Sequence, residues 1–349
     1  MGYDRKAGGG EVLIRSLFLA WILALLPVPA LAWGYAGHRM IGEVAARHFP
    51  AEMPGFLRTK PAATEIGILS QEPDTSRNSG QPHDADLDPG HFLDLADDGT
   101  VLGGPNLSAL PPTRQDYDTA LRAVGSNEYK AGFLPYNIMD GWEQLVHDFA
   151  LLRAYRGALA HARNFHLTPK DRRGYTELVS LRELIILRDL GTWAHFVEDA
   201  SQPMHASVHY NGWGNGPNPE GFVTTPGLHA KFESAFVNAN VRQADIEALI
   251  VPFHHCDDTV LACTGQYLTA TNRQVLKLYQ FDKQGAFDTP TPESKAFVVE
   301  RLAVAANMLR DMVVDAWHAS AEVPLGGQTR LPAADYETGK ALIVLQSRD

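Results

Sequence analysis

The stretch YTELVSLRELIILRDLGTWAHFVEDASQPMH, Tyr175 to His205, decides the fold. Its apolar residues recur at steps of three and four, from Leu178 through Leu181, Ile185 and Trp193 to Phe196, the period of an amphipathic helix. Near its end His195 and Asp199 stand four residues apart, about one turn, so both side chains share a face that a single cation can reach. Pro203 lacks a backbone N–H and clashes with the preceding turn, which places the expected helix end near Gln202. His205 is then delivered beside the pair. A His/Asp pair at this spacing is also an ordinary hydrogen-bonded pair, so the rest of the chain has to decide between the two readings.

Outward from this segment the pattern stays helical. WGYAGHRMIGEVAARHF sets Met40, Ile41, Val44 and Ala45 on one face, and DGWEQLVHDFALLRAYRGALAHA does the same with Trp142, Leu145, Val146, Phe149, Leu152 and Tyr155. SKAFVVERLAVAANMLRDMVVDAWHAS is a further strong helix, and no alternating strand run of similar quality appears. Two long polar segments interrupt the helices, Ser70 to Thr100 and Asn211 to Gly227, both rich in Gly and Pro. Loops of this length in a compact domain are functional or disordered. With no repeat, linker or composition break, the expectation is all-α: one multi-helix bundle, residues 33–349, with long loops.

Residues 1–32 are set aside as a signal peptide. LFLAWILALLPV is too short for a comfortable membrane span, follows Arg15, and leads into Pro-Ala-Leu-Ala, an A-x-A cleavage site directly before Trp33. Export to the periplasm or the medium is therefore expected. Removing 32 of 349 residues leaves 317, ample for a large core. The whole chain carries −11, and the leader carries three cations against two acids, so the remainder is near −12. That sign argues against non-specific polyanion binding unless a cation reverses it locally. The two cysteines, Cys256 and Cys263, sit in HHCDDTVLACTG; in an exported protein they are expected to form a disulfide, the alternative being a zinc site with His254 and His255.

The groups able to hold metal fall into an ordered series. Asp74 and His91 lie in the first long segment, His195, Asp199 and His205 surround the helix end, and His229 and Glu233 form a second pair at helical spacing. His38 lies five residues after Trp33, whose α-amino group cleavage would free. Nitrogen and oxygen ligands of these kinds suit zinc, and the set contains no oxidisable cysteine.

This arrangement resembles the superfamily of zinc-dependent phospholipases C and S1/P1 nucleases, helical trinuclear zinc enzymes that cleave phosphodiesters. The shared pattern is an N-terminal Trp, a nearby His, an Asp and a His from a long loop, H-x3-D-x5-H, then H-x3-D/E. Here it reads Trp33, His38, Asp74, His91, His195-x3-Asp199-x5-His205 and His229-x3-Glu233, covering about two thirds of the expected mature chain. The resemblance implies three zinc ions. One would be held by Asp74, His91, His195 and Asp199. A second would take the amine and carbonyl of Trp33, with His38 and Asp199. A third would take His205, His229 and Glu233. It also implies hydrolysis without a side-chain nucleophile, and no G-x-S-x-G is present.

The marks for substrate divide between the two branches. Asp74-Thr75-Ser76-Arg77 resembles the nuclease D-x2-K/R, in which the cation contacts phosphate or leaving group; a solvated loop cation is the plain alternative for Arg77. His91-Phe92-Leu93-Asp94 resembles H-F-x-D, in which the aromatic stacks a base and the Asp reads its edge, although Phe92 also fits a core position. Glu233 and Pro203-Met204-His205 lean toward the phospholipases, and the Gly-Gly-Asn that many nucleases carry is replaced by NGWGNGPNPEGF. The balance favours a nuclease for single-stranded nucleic acid or nucleotides, acting as a monomer without an obligate protein partner. A phospholipase C and an inactive zinc-binding protein are the alternatives. Trp213 reads as a cleft wall or a packing anchor, and His147, His161, His166 and His209 as structural or solvated.

Overall fold

The computed structural model describes residues 33–214, 216–327 and 330–344. The expected signal peptide and its cleavage point lie outside them. Among the described residues eight helices have nine or more residues: α1 Gly34–Arg47, α2 Lys60–Leu69, α3 Arg114–Ala123, α4 Leu134–Ala160, α5 Pro169–Asp199, α6 Val260–Asn272, α7 Val275–Lys283 and α8 Pro292–Ala319. The protein is all-α. A two-residue antiparallel pair, Pro324–Leu325 with Leu331–Pro332, is its only sheet among the described residues. None of the described helices is long and apolar enough to cross a membrane.

Local chemistry fixes where the long helices begin. Thr168 and Thr291 each accept a hydrogen bond from the backbone three residues on and are followed by proline, so α5 and α8 start from capped ends with φ already set. Helix α4 starts at Leu134, six residues before the amphipathic stretch read from Asp140, because Pro135 occupies its first turn. The end of α5 differs from expectation. It stops at Asp199, three residues short of Gln202, because residues before a proline prefer extended backbone and Gln202 adopts it; Pro203–Ala206 then form a 3-10 turn.

Helices α4 and α5 pack along each other, and α1, α2 and α8 close around them into one principal core. Close approach depends on two glycines: a Cβ at Gly141 would lie 2.0 Å from the Trp193 ring, and one at Gly191 would lie 2.4 Å from Leu69 Cβ. The apolar face of α5 also differs from its reading in part. Leu181 is 52% exposed, while Ile186 and Leu190 are fully buried, because the core-facing stripe drifts around the 31-residue helix. The segment from Ser70 to Thr100 is not an open loop: it holds short helices at Glu72–Thr75 and His83–Leu87, a 3-10 turn at Asp88–His91, and a bridge from Leu95 to Val101. After α8 the chain returns across α4 and buries Tyr336 against Ala150 and Ala154.

Candidate metal centre

The C-terminal end of α5 gathers the densest set of buried polar side chains in the bundle. Three groups of candidate ligands meet there: His38, His195 and Asp199; Asp74, His91 and His195; and His205, His229 and Glu233. Every one of these eight residues is at most 7% exposed. Helix α1 supplies His38, the short helix after α2 supplies Asp74, the 3-10 turn supplies His91, and α5 supplies His195 and Asp199. His205 comes from the turn that Pro203 opens. His229 and Glu233 straddle the change from an α-helical turn to the π-helix Lys231–Phe236, a local widening often found at functional sites.

Asp199 links the groups. Its Oδ2 lies 3.1 Å from His91 Nδ1 and 3.2 Å from His195 Nε2, while its Oδ1 lies 3.6 Å from both His38 Nε2 and His205 Nδ1. Glu233 Oε2 lies 2.7 Å from His229 Nε2. The imidazoles are oriented from behind: Nδ1–H of His195 donates to Ser70 O at 2.7 Å, that of His205 to His91 O at 2.8 Å, and that of His229 to Tyr210 O at 2.6 Å. With those protons committed, the Nε2 lone pairs of His205 and His229 face each other at 3.1 Å. Ligand atoms around a tetrahedral zinc lie roughly 3.3 Å apart.

Buried carboxylate oxygens without hydrogen-bond partners provide a test of fit. Asp74 Oδ2, Asp199 Oδ1 and Glu233 Oε1, one from each of the three candidate acids, are all in this state. Leaving such atoms unpaired in a dry interior is costly, and a shared cation is the chemistry that relieves it. The three buried groups could hold metal ions, and their nitrogen and oxygen donors fit zinc. Burial shapes the protonation states as well. Desolvation, then the neighbouring histidines, hold His91 and His205 well below the ordinary imidazole range, leaving them neutral as ligation requires. Desolvation raises Asp199 to about 6.

The remaining sequence candidates are placed as follows. Arg77 lies at the edge, 22% exposed, with Nη1 3.4 Å from Asp74 Oδ1 and Nε 3.8 Å from Asp88 Oδ1. Trp33 is fully buried and its indole N–H donates to Glu198 O and Ser201 Oγ. Its amine becomes available only by cleavage outside the described residues. Phe92 and Asp94 are half-buried on the strand-like run after His91, where Asp94 N donates to Ala131 O. Trp213 is a packing anchor, stacked 3.7 Å from His209, whose Nε2 lies 2.9 Å from Asp97 Oδ1. Cys256 and Cys263 are disulfide-bonded, which removes the alternative zinc site with His254 and His255. Sequence reading missed two buried polar residues at the centre, Glu198 and Gln202. Gln202 Nε2 donates to Glu233 Oε2 at 3.0 Å and its Oε1 accepts from Met204 N. The signal for Glu198 was present, since it lies three residues after His195 and so on the same side of α5.

Burial pushes the Asp94 carboxyl up to about 7, from 3.8. A raised folded-state value means that the native protein holds the proton more tightly, so this stabilisation is complete below about pH 4 and is lost as pH rises through 7. Asp94→Asn is therefore expected to leave the thermal midpoint unchanged at pH 4 and to raise it at pH 8 by roughly 2–6 °C. Thermal scans at the two pH values check this; an equal effect at both would place Asp94 in solvent.

Comparison of the chain with protein-family models, with curated proteins and with solved structures finds no match.

Proposed function

We propose that the chain is a zinc-dependent phosphodiesterase of the phospholipase C and S1/P1 nuclease type, exported and acting on unpaired nucleic acid or nucleotides. The observation that carries this reading is the convergence of three buried ligand groups around Asp199, in the order and spacing of that superfamily. The bundle with a metal-bearing end of α5 is in keeping with that fold type. Zinc, when bound, supplies Lewis acidity toward water and phosphoryl oxygen. The chain's own groups do the rest. Neutral His91 and His205 present lone pairs rather than protons, and the main-chain carbonyls of Ser70, His91 and Tyr210 keep the imidazoles turned inward. Arg77 stands at the edge of the acidic pit with guanidinium donors left for a phosphate oxygen, drawing an anionic diester toward a negatively charged protein. Phe92 offers a ring to a base, and Asp94 an acceptor to its edge.

The phospholipase reading rests on Glu233, the ligand choice of that branch. The deciding experiment compares single-stranded DNA, RNA, 3′-mononucleotides, phosphatidylcholine and bis(p-nitrophenyl) phosphate, each with zinc and with chelator. Chelator-sensitive cleavage of the unpaired nucleic acids is the expected outcome. Cleavage of phosphatidylcholine alone moves the protein to the other branch, and inertness toward every diester leaves a binding protein.

Base stacking is worth about 1–3 kcal/mol per base by truncation. Phe92→Ala is therefore expected to lower turnover of single-stranded DNA about tenfold while sparing the small chromogenic diester. Equal losses on both would show that Phe92 supports the metal groups instead of a base.

A further inference from the structure

We propose that Glu198 is a positioning residue, whose carboxylate fixes the orientation of His38 so that Nε2 of that imidazole faces the metal groups. The assignment rests on the metal-site reading above and adds a residue that the ligand pattern does not contain. Glu198 is fully buried on α5, next in sequence to Asp199. Successive residues of a helix point about 100° apart, so the two carboxylates serve different neighbours. Asp199 projects among the histidines, whereas Glu198 Oε2 meets His38 Nδ1 on α1 at 2.5 Å. The opposite edge of the same ring, Nε2, lies 3.6 Å from Asp199 Oδ1. A carboxylate accepting from Nδ1–H selects the tautomer with its lone pair on Nε2 and makes that nitrogen a stronger donor to a cation.

The surroundings hold this arrangement rigidly. His38 stacks on His195 with ring centroids 4.1 Å apart. The Glu198 carbonyl accepts from the Trp33 indole at 3.0 Å. On the far side the glutamate lies against Gly42, where a Cβ would sit 3.3 Å from Oε1 and 3.1 Å from Gly67 Cα. The close crossing of α1 and α2 thus leaves a slot fitted to the carboxylate. A plain tie between helices would serve equally well with an apolar residue of the same volume, and would need no contact with a candidate ligand.

The test compares zinc binding by the full chain with that of Glu198→Met, which keeps volume but has no acceptor, and Glu198→Gln, which restores an acceptor oxygen. Competition against a chromogenic chelator gives the affinities, and visible absorption after cobalt(II) substitution reports the geometry of each ion. Glu198→Met is expected to weaken one of the three ions about 10–100-fold and to alter its cobalt bands, leaving the other two unchanged. Glu198→Gln is expected to bind within about threefold of the unmodified chain. Unchanged binding and bands in Glu198→Met overturn the proposal. So does a glutamine variant no better than the methionine one, and that variant alone decides if Glu198→Met does not fold. A wild-type chain that takes up no zinc overturns the metal reading itself, and this assignment with it.

Discussion

Asp199→Asn is expected to reduce zinc-dependent hydrolysis of bis(p-nitrophenyl) phosphate by about a thousandfold or more, a barrier increase of roughly 4 kcal/mol. The size follows from position. Asp199 lies within 4 Å of His38, His91, His195 and His205 together, so its loss weakens two groups at once, whereas His229→Ala disturbs mainly the third. The same substitution has an opposite effect on the metal-free protein. Burial lifts the Asp199 carboxyl to about 6, so in the absence of a cation its stabilising protonated form is lost as pH rises through 6. Metal-free Asp199→Asn is thus expected to melt above the metal-free wild type at pH 8 and no higher at pH 4. A residue kept for structure alone would lose stability at both. Activity assays and paired thermal scans read the two effects separately.

Removal of metal is expected to have the second largest effect. Three groups bring buried acids and imidazoles together, and three carboxylate oxygens of those groups have no hydrogen-bond partner. A ligand held at 100 times its dissociation constant stabilises the native state by about 2.7 kcal/mol per site. For a chain of this size that corresponds to roughly 4 °C for each ion. Exhaustive chelation at neutral pH should therefore lower the thermal midpoint by about 12 °C, with full recovery on adding zinc back. Calorimetry with and without chelator checks it; a midpoint indifferent to chelator would mean that the buried groups satisfy one another.

The helical architecture was legible because the 3.6-residue pattern runs through its long helices. The capped starts at Thr168-Pro169 and Thr291-Pro292 lie ahead of the stretches read from Tyr175 and Ser294, where the apolar period is weak. The eight side-chain ligand candidates were legible for a different reason. Four-residue spacing fixes His195 with Asp199 and His229 with Glu233 on shared faces before any tertiary structure is known. What escaped was set by packing. Leu181 matches the apolar period yet faces solvent, because the stripe that meets the core drifts around α5 and Ile186 and Leu190 carry it instead. The segment from Ser70 to Thr100 hides helices of four and five residues, too short for local propensity to sustain or for an apolar period to reveal. Glu198 was missed although its spacing from His195 sets it on the same side of α5, and Gln202 because an amide gives no sign in sequence of which neighbour it meets. Their partners lie 160 and 31 residues away.

Anomalous diffraction at the zinc edge, from crystals of the zinc-loaded protein, tests the central claim most directly. Three peaks are predicted, one within the group His38, His195 and Asp199, one within Asp74, His91 and His195, and one within His205, His229 and Glu233. A single peak, or peaks at surface carboxylates with these three groups still hydrogen-bonded to one another, would contradict it.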